Sequence, residues 1–129
     1  MGRKNVDANR PWARTLGYSR AVRIGNVIEV SGTAAAGSDG EILSPGDVYG
    51  QAREALKIIG AALAEAGGSF ADVVRTRVYL IDAAAWEEAG RAHGEVFAEV
   101  RPANTTMAVS GFIDPAILVE IEATAVVEG

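Results

Sequence analysis

Leu118-Val119-Glu120-Ile121-Glu122-Ala123-Thr124-Ala125-Val126 alternates between two kinds of side chain. Leu118, Glu120, Glu122 and Thr124 point one way, and Val119, Ile121, Ala123 and Ala125 the other, which is the period of a β-strand. A strand with one aliphatic face lays that face on a core and leaves the other for solvent or for a site. Glu120 and Glu122 therefore stand as neighbours on one polar face. Immediately upstream, Pro102 ends the preceding region, Thr105 to Val109 reads as another strand, and Asp114-Pro115 turns the chain into the final one.

Further upstream, Ala21-Val22-Arg23-Ile24 and Val27-Ile28-Glu29-Val30 flank Gly25-Asn26, a dipeptide suited to a tight hairpin turn. Gly32 to Gly46 is glycine-rich loop with a short possible strand at Glu41–Leu43. A helix follows. Asp47 is its N-cap, Val48, Ala52, Ala55, Leu56, Ile59, Ala62, Leu63 and Ala66 recur at three- and four-residue spacing, and Gly67-Gly68 stops it. Val73 to Ile81 reads as a buried strand with Arg75 and Arg77 on one face. A second helix is expected from about Ala84 to Glu99, capped by Asp82, with Trp86, Gly90, His93 and Phe97 in one stripe. Residues 1–16 read as a loosely ordered lead-in, because Pro11 disfavours a helix across that point.

The order β-β-(β)-α-β-α-β-β implies an α+β fold: one mixed sheet with two helices packed on one face, the other face covered by self-association. At 129 residues the chain is a single domain of residues 1–129, and 49% of it is apolar. There is no cysteine and only one histidine, which removes disulfides, thiolate chemistry and multi-histidine metal sites. No metal or cofactor is expected. A net charge of −5 argues against a nucleic-acid surface. No apolar run approaches the ~18 residues of a membrane span, and the polar N-terminus has no secretory core, so a soluble cytoplasmic protein is expected.

Several short motifs then point to one family. They are Gly17-Tyr18-Ser19-Arg20-Ala21-Val22, Val30-Ser31-Gly32, Gln51, Asp72 to Leu80, Phe97, Arg101-Pro102-Ala103 and Leu118 to Ala123. Together, across residues 17 to 127, they resemble the RidA/YjgF-type (L-PSP) family of small homotrimers, many of which hydrolyse reactive enamines and imines. The resemblance implies a chorismate-mutase-like fold, a trimeric barrel and three ligand clefts at subunit interfaces. Position by position, it makes Tyr18 a cleft-lining tyrosine, Gly32 a glycine whose backbone faces the ligand, and Glu120 the carboxylate that holds the hydrolytic water. The family's cleft asparagine falls at Gly90. Its carboxylate-gripping arginine falls at Asn104, so the chain looks similar to an arginine-less branch. An asparagine amide lacks the bidentate fork of a guanidinium, and losing such a contact in a cleft costs ~2–5 kcal/mol.

Each singled-out residue has a plainer reading beside the functional one. His93 reads first as a partly buried structural histidine and second as a proton donor to ligand. Glu120, by sequence alone, is a solvated strand glutamate, and the resemblance makes it a general base. Arg75 and Arg77 pair with acidic groups or solvent, or supply a displaced anion grip, and Arg101, Arg14 and Arg20 are further candidates for that grip. Ser31 lies in no nucleophile elbow and bonds to backbone. The expected cleft is lined by Tyr18, Gly32, Trp86, Gly90, Asn104, Thr105 and Glu120, with His93 nearby. Glu120 and His93 are its candidate catalytic residues. The leading expectation is hydrolysis of a small-molecule C=N or related C–N bond in an imine/enamine deaminase-type site. Its rival is a non-catalytic metabolite-binding or regulatory trimer. The acidic charge and single histidine disfavour ribonuclease activity.

Overall fold

A computed structural model of the chain describes residues 2–128. Six strands form one mixed sheet in the order β1-β2-β3-β6-β4-β5. The elements are β1 (Arg3–Val6), α1 (Pro11–Leu16), β2 (Ala21–Ile24), β3 (Val27–Thr33), α2 (Val48–Glu65), β4 (Val73–Leu80), α3 (Trp86–Phe97), β5 (Ala103–Ala108) and β6 (Val119–Val126). The last strand in sequence enters the middle of the sheet, antiparallel to β3 on one side and to β4 on the other. β4 and β5, joined by the α3 crossover, run parallel. This is the α+β architecture expected from the sequence.

The alternation of β6 sets the two sides of the sheet. Val119, Ile121, Ala123 and Ala125 are all at most 1% exposed, in one core with Ile28, Val30, Val78 and Leu80. α2 covers that core with Ala52, Ala55, Leu56, Ile59, Ala62 and Leu63. The helix is bounded as its sequence demands. The Asp47 carboxylate accepts from the Gly50 amide at 3.0 Å. At the other end Gly67, with φ +90°, permits paired bonds from Gly67 N to the Ala64 carbonyl and from Gly68 N to the Leu63 carbonyl.

One buried side chain ties α2 to the strand it covers. Gln51 is 0% exposed; its Nε2 donates to the Ala116 carbonyl at 3.0 Å and its Oε1 accepts from the Leu118 amide at 2.9 Å. The amide serves as a piece of backbone at the point where β6 begins.

The structure departs from the sequence reading in four places. The lead-in is ordered: β1 pairs with β2, and α1 starts at Pro11 itself. A proline at the first helical position lacks only an N–H that has no intrahelical partner, so it begins a helix rather than breaking one. Residue 1 of that lead-in lies outside the described residues. The strand at Glu41–Leu43 is reduced to a single bridge, Ala36 to Ile42. Asp82 caps a short 3-10 turn, Ala83–Ala85, ahead of α3. The stripe on α3 divides: Phe97 is buried with Ala89 and Ala92, whereas Trp86 is 60% exposed.

The sheet face away from α2 carries a cluster of polar side chains beside exposed Val27, Val126 and Met107. There Tyr79 Oη donates to Glu122 at 2.9 Å, Arg77 pairs with Glu122 at 3.7 Å, and Thr124 Oγ1 donates to Glu29 at 2.6 Å. Arg75 Nη2 donates to Thr105 Oγ1 at 2.7 Å. The two arginines thus take up neighbours on the sheet. β5, at the sheet edge, is exposed along all six residues.

Replacing Gln51 with leucine strands the Leu118 amide and the Ala116 carbonyl. Denaturant unfolding is expected to show a loss of about 2 kcal/mol. A variant within 0.5 kcal/mol of the native chain, on that order of precision, rules out the clamp as a main support of β6.

Candidate functional site

β3 and β6 pair regularly from Val27–Val126 to Val30–Ala123, then slip by one residue before Thr33 meets Ile121. Ser31 and Gly32 occupy that irregularity. Such bulges re-aim the side chains around them. Glu120 extends from the polar face of β6 toward Gly32, and a Cβ added at Gly32 lies 2.8 Å from Glu120 Oε1. No other residue type leaves this carboxylate its place. Ser31 takes no nucleophilic position: its Oγ donates to the Ser19 carbonyl at 2.6 Å.

A cavity of about 300 Å³ opens there, lined by Trp12, Leu16, Tyr18, Ser31, Gly32, Ile113 and Glu120. A smaller one of about 30 Å³ shares Trp12, Gly32, Ile113 and Glu120 and adds Arg10, Arg20, Ala34, Ala36 and Ile117. Its volume suits about one water molecule. Burial pushes the Glu120 carboxyl above the ordinary range, the Arg20 guanidinium opposes the rise, and Glu122 adds to it. The cavity therefore offers a half-buried carboxylate, a phenol and a bare glycine backbone between aromatic and aliphatic walls. Such a site admits a small polar molecule and gives water a base.

The remaining expected residues gather elsewhere in the chain. On the helix-covered face, Thr76 Oγ1 lies 2.8 Å from His93 Nε2 and accepts from Asn104 Nδ2 at 3.0 Å. Thr106 Oγ1 in turn donates to Asn104 Oδ1 at 2.9 Å. The His93 ring stands 4.6 Å from that of Phe97, and burial lowers its pKa, so it is neutral at pH 7. Asn104 and Glu120 thus project from opposite faces, on strands separated by β4. Thr105 faces the other way and accepts from Arg75. Gly90 opens to empty space on the outer side of α3, near the exposed Trp86. Within one chain, then, Tyr18, Gly32 and Glu120 come together, while His93, Asn104, Thr105, Gly90 and Trp86 do not join them. Among the described residues no group of three or more His, Cys, Asp or Glu side chains is arranged to hold a metal. No described helix is long and apolar enough to cross a membrane.

Sequence reasoning missed Trp12, Leu16, Ile113 and Arg10. The signal for the first two was present as proline at a helix start. Ile113, in a loop, had none.

The endoribonuclease L-PSP family model matches residues 8–127. The chain belongs to the YjgF/RidA/L-PSP family. It is 38% identical over 122 residues to an uncharacterised protein of Streptomyces coelicolor, spanning 95% of this chain and 90% of that one. It is 33% identical over 108 residues to the 3-aminoacrylate deaminase RutC of Acinetobacter baylyi, spanning 84% and 85%. Among solved structures, a YjgF/YER057c/UK114 family member from Mycobacterium tuberculosis superposes with a TM-score of 0.87 at 41% identity, covering 98% of this chain and all of that one.

Glu120 has a folded-state pKa above its unfolded value. It therefore contributes stability that is fully present below the unfolded carboxyl pKa and lost as pH rises through the folded one. Glu120→Gln removes that loss, so its melting temperature should exceed the native one at neutral pH and converge on it near ~pH 4. Thermal denaturation at both pH values checks this; a variant less stable at neutral pH contradicts the burial argument.

Proposed function

We propose that this chain is a water-dependent hydrolase of small enamines or imines, acting as a homotrimer with its clefts between subunits. The observation that carries the reading is the Gly32–Glu120 juxtaposition, a half-buried carboxylate given room by a missing Cβ. The substrate reacts as its iminium, which an imine reaches by taking a proton from solvent at nitrogen and an enamine by taking one at carbon. Glu120 accepts a proton from water as the oxygen adds to the iminium carbon. In the resulting neutral carbinolamine Glu120 returns that proton to nitrogen, and the C–N bond breaks as the oxygen lone pair forms C=O. The hydroxyl proton passes to solvent, leaving a carbonyl compound and ammonia. Tyr18 and the Gly32 backbone orient the substrate.

Two features support assembly. β5 is uncovered along its length, and the residues expected in one cleft divide between two regions of the chain. A neighbouring copy that applies its β5 region to the Glu120 cavity reunites them. His93 then serves through Thr76, holding Asn104 in place.

Asn104 supports placing the chain in an arginine-less branch. Both ends of its amide are already engaged, by Thr76 and Thr106, so it offers a substrate carboxylate no bidentate grip. A neutral polar group, such as an amide, a ring carbonyl or a hydroxyl, suits that corner better than the carboxylate of a simple 2-imino acid. The likeness to a 3-aminoacrylate deaminase supports an enamine as the reacting group. The same engaged Asn104, with Gly90 bare, favours a second reading, a trimer that binds a metabolite and returns it unchanged.

Ammonia release from freshly generated 2-aminoacrylate, longer 2-imino acids and 3-aminoacrylate separates the two readings. A native chain that turns over, with Glu120→Gln slower by about 100-fold or more, establishes the hydrolase. Turnover only in Asn104→Arg shows a competent Glu120 lacking its anion grip. Silence from both, with ligand-induced stabilisation of the trimer, establishes the binding protein.

A further inference from the structure

Arg20 is 6% exposed, and among the described residues no other charged side chain is buried so deeply. A guanidinium is expensive to bury unless its donors and its charge are answered. Its backbone is held from both sides: its amide donates to the Val6 carbonyl at 2.8 Å, and its carbonyl accepts from the Ser31 amide at 2.9 Å. Nη1 donates to the Gly32 carbonyl at 3.0 Å and to Thr33 Oγ1 at 3.1 Å. The guanidinium carbon lies 5.7 Å from the centre of the Tyr18 ring, within cation–π range. Nε is buried without a partner, and among the described residues Arg20 makes no direct ion pair. It lines the small cavity together with Gly32 and Glu120.

We propose that Arg20 is the positioning residue of this site. One buried guanidinium fixes the Gly32 carbonyl at the bulge, backs the Tyr18 ring, and supplies across the small cavity the positive charge that Glu120 faces. Gly32 and Glu120 line both cavities and Tyr18 lines the larger one, so this one buried cation touches or faces all three. The inference rests on the reading of Glu120 as the water-holding carboxylate. Removing the charge should leave Glu120 to burial and to Glu122, both of which favour its protonated form. The other groups around Glu120 are Arg10 across the small cavity, Tyr18 across the larger one, Tyr79 opposite it on β4, and Arg77 beyond on the same strand. Arg77 is drawn off by Glu122 at 3.7 Å, and Nη1 of Arg10 is taken by the Ala8 and Asn9 carbonyls at 3.0 and 2.9 Å.

The test uses the full chain and no turnover. In native protein, the Arg20 side-chain 15N resonances and the Glu120 carboxyl 13C resonance should titrate with a common midpoint, and Glu120→Gln should abolish the Arg20 response. Arg20→Gln should move the Glu120 midpoint to higher pH, and Arg20→Lys should bring it back toward the native value. Arg20 resonances indifferent to Glu120, or a midpoint unmoved in Arg20→Gln, overturn the proposal. Should Arg20→Gln fail to fold, the native and Glu120→Gln spectra decide alone. Coupled titration with no ammonia release from either the native chain or Asn104→Arg removes the hydrolase reading and Glu120's water-holding role, and leaves Arg20 as the residue that positions Glu120 in a binding site. Where turnover is found, the acidic limb of the Arg20→Gln pH profile should shift to higher pH with the Glu120 midpoint. A lower rate with an unshifted limb marks Arg20 as a structural support only.

Discussion

β6 hydrogen-bonds along both edges, to β3 and to β4, so the last strand to be read closes a sheet whose other members arrive first in sequence. Everything of consequence hangs on that insertion. Its aliphatic side chains are the floor on which α2 rests, and its polar side chains carry Glu120 and Glu122 out on the opposite face. A slip of one residue in its register exchanges the two sets, burying carboxylates under the helix and exposing valine and isoleucine. Gln51 opposes such a slip at its origin by pairing with backbone on either side of Ile117, where the chain turns into β6.

The site is a local exception built into that regular pattern. Where β3 pairs normally, its residues match β6 one for one. Where it does not, Ser31 and Gly32 leave the ladder, and the Glu120 carboxylate occupies the space that a side chain at position 32 would fill. The arrangement holds a carboxylate in partly dry surroundings against its own preference for water. Arg20 offsets part of that cost without forming a direct pair, which would tie the carboxylate down and take it from chemistry.

The far side of the sheet shows the contrary disposition. Thr76, His93, Asn104 and Thr106 use one another's donors and acceptors, so this cluster is settled, and little in it is free to grip an anion. In the proposed reading, selectivity for ligand follows from which polar groups are already engaged: Asn104 is, and Glu120 is not. That contrast is why the reactive end of the proposed chemistry belongs at Glu120, with the neutral corner left to discriminate among substrates.

Five of the six strands, the two main helices and the caps of α2 were legible in the sequence, because period, an N-cap aspartate and terminal glycines act over a few residues; β1 was not, and Asp82 caps the turn ahead of α3 rather than α3 itself. Tyr18, Gly32 and Glu120 were singled out by resemblance, and they do share a cavity. The order of α1 was misread, since Pro11 carries opposite meanings at the first and at an interior helical position. The apolar walls, Trp12, Leu16 and Ile113, come from distant segments that carry no mutual sequence signal. Arg20 is the sharpest case. In the sequence it lies in the Gly17–Val22 motif and is one of several arginines, with Arg14, Arg77 and Arg101, that could replace the missing anion grip, and nothing local tells which of them is buried. Its burial, its hold on the Gly32 carbonyl and its facing of Glu120 exist only once β1, β3 and β6 have been laid around it. Local periodicity determined which segments form strands and helices; which charges meet, and in how dry a place, is set by long-range pairing that only the tertiary structure decides.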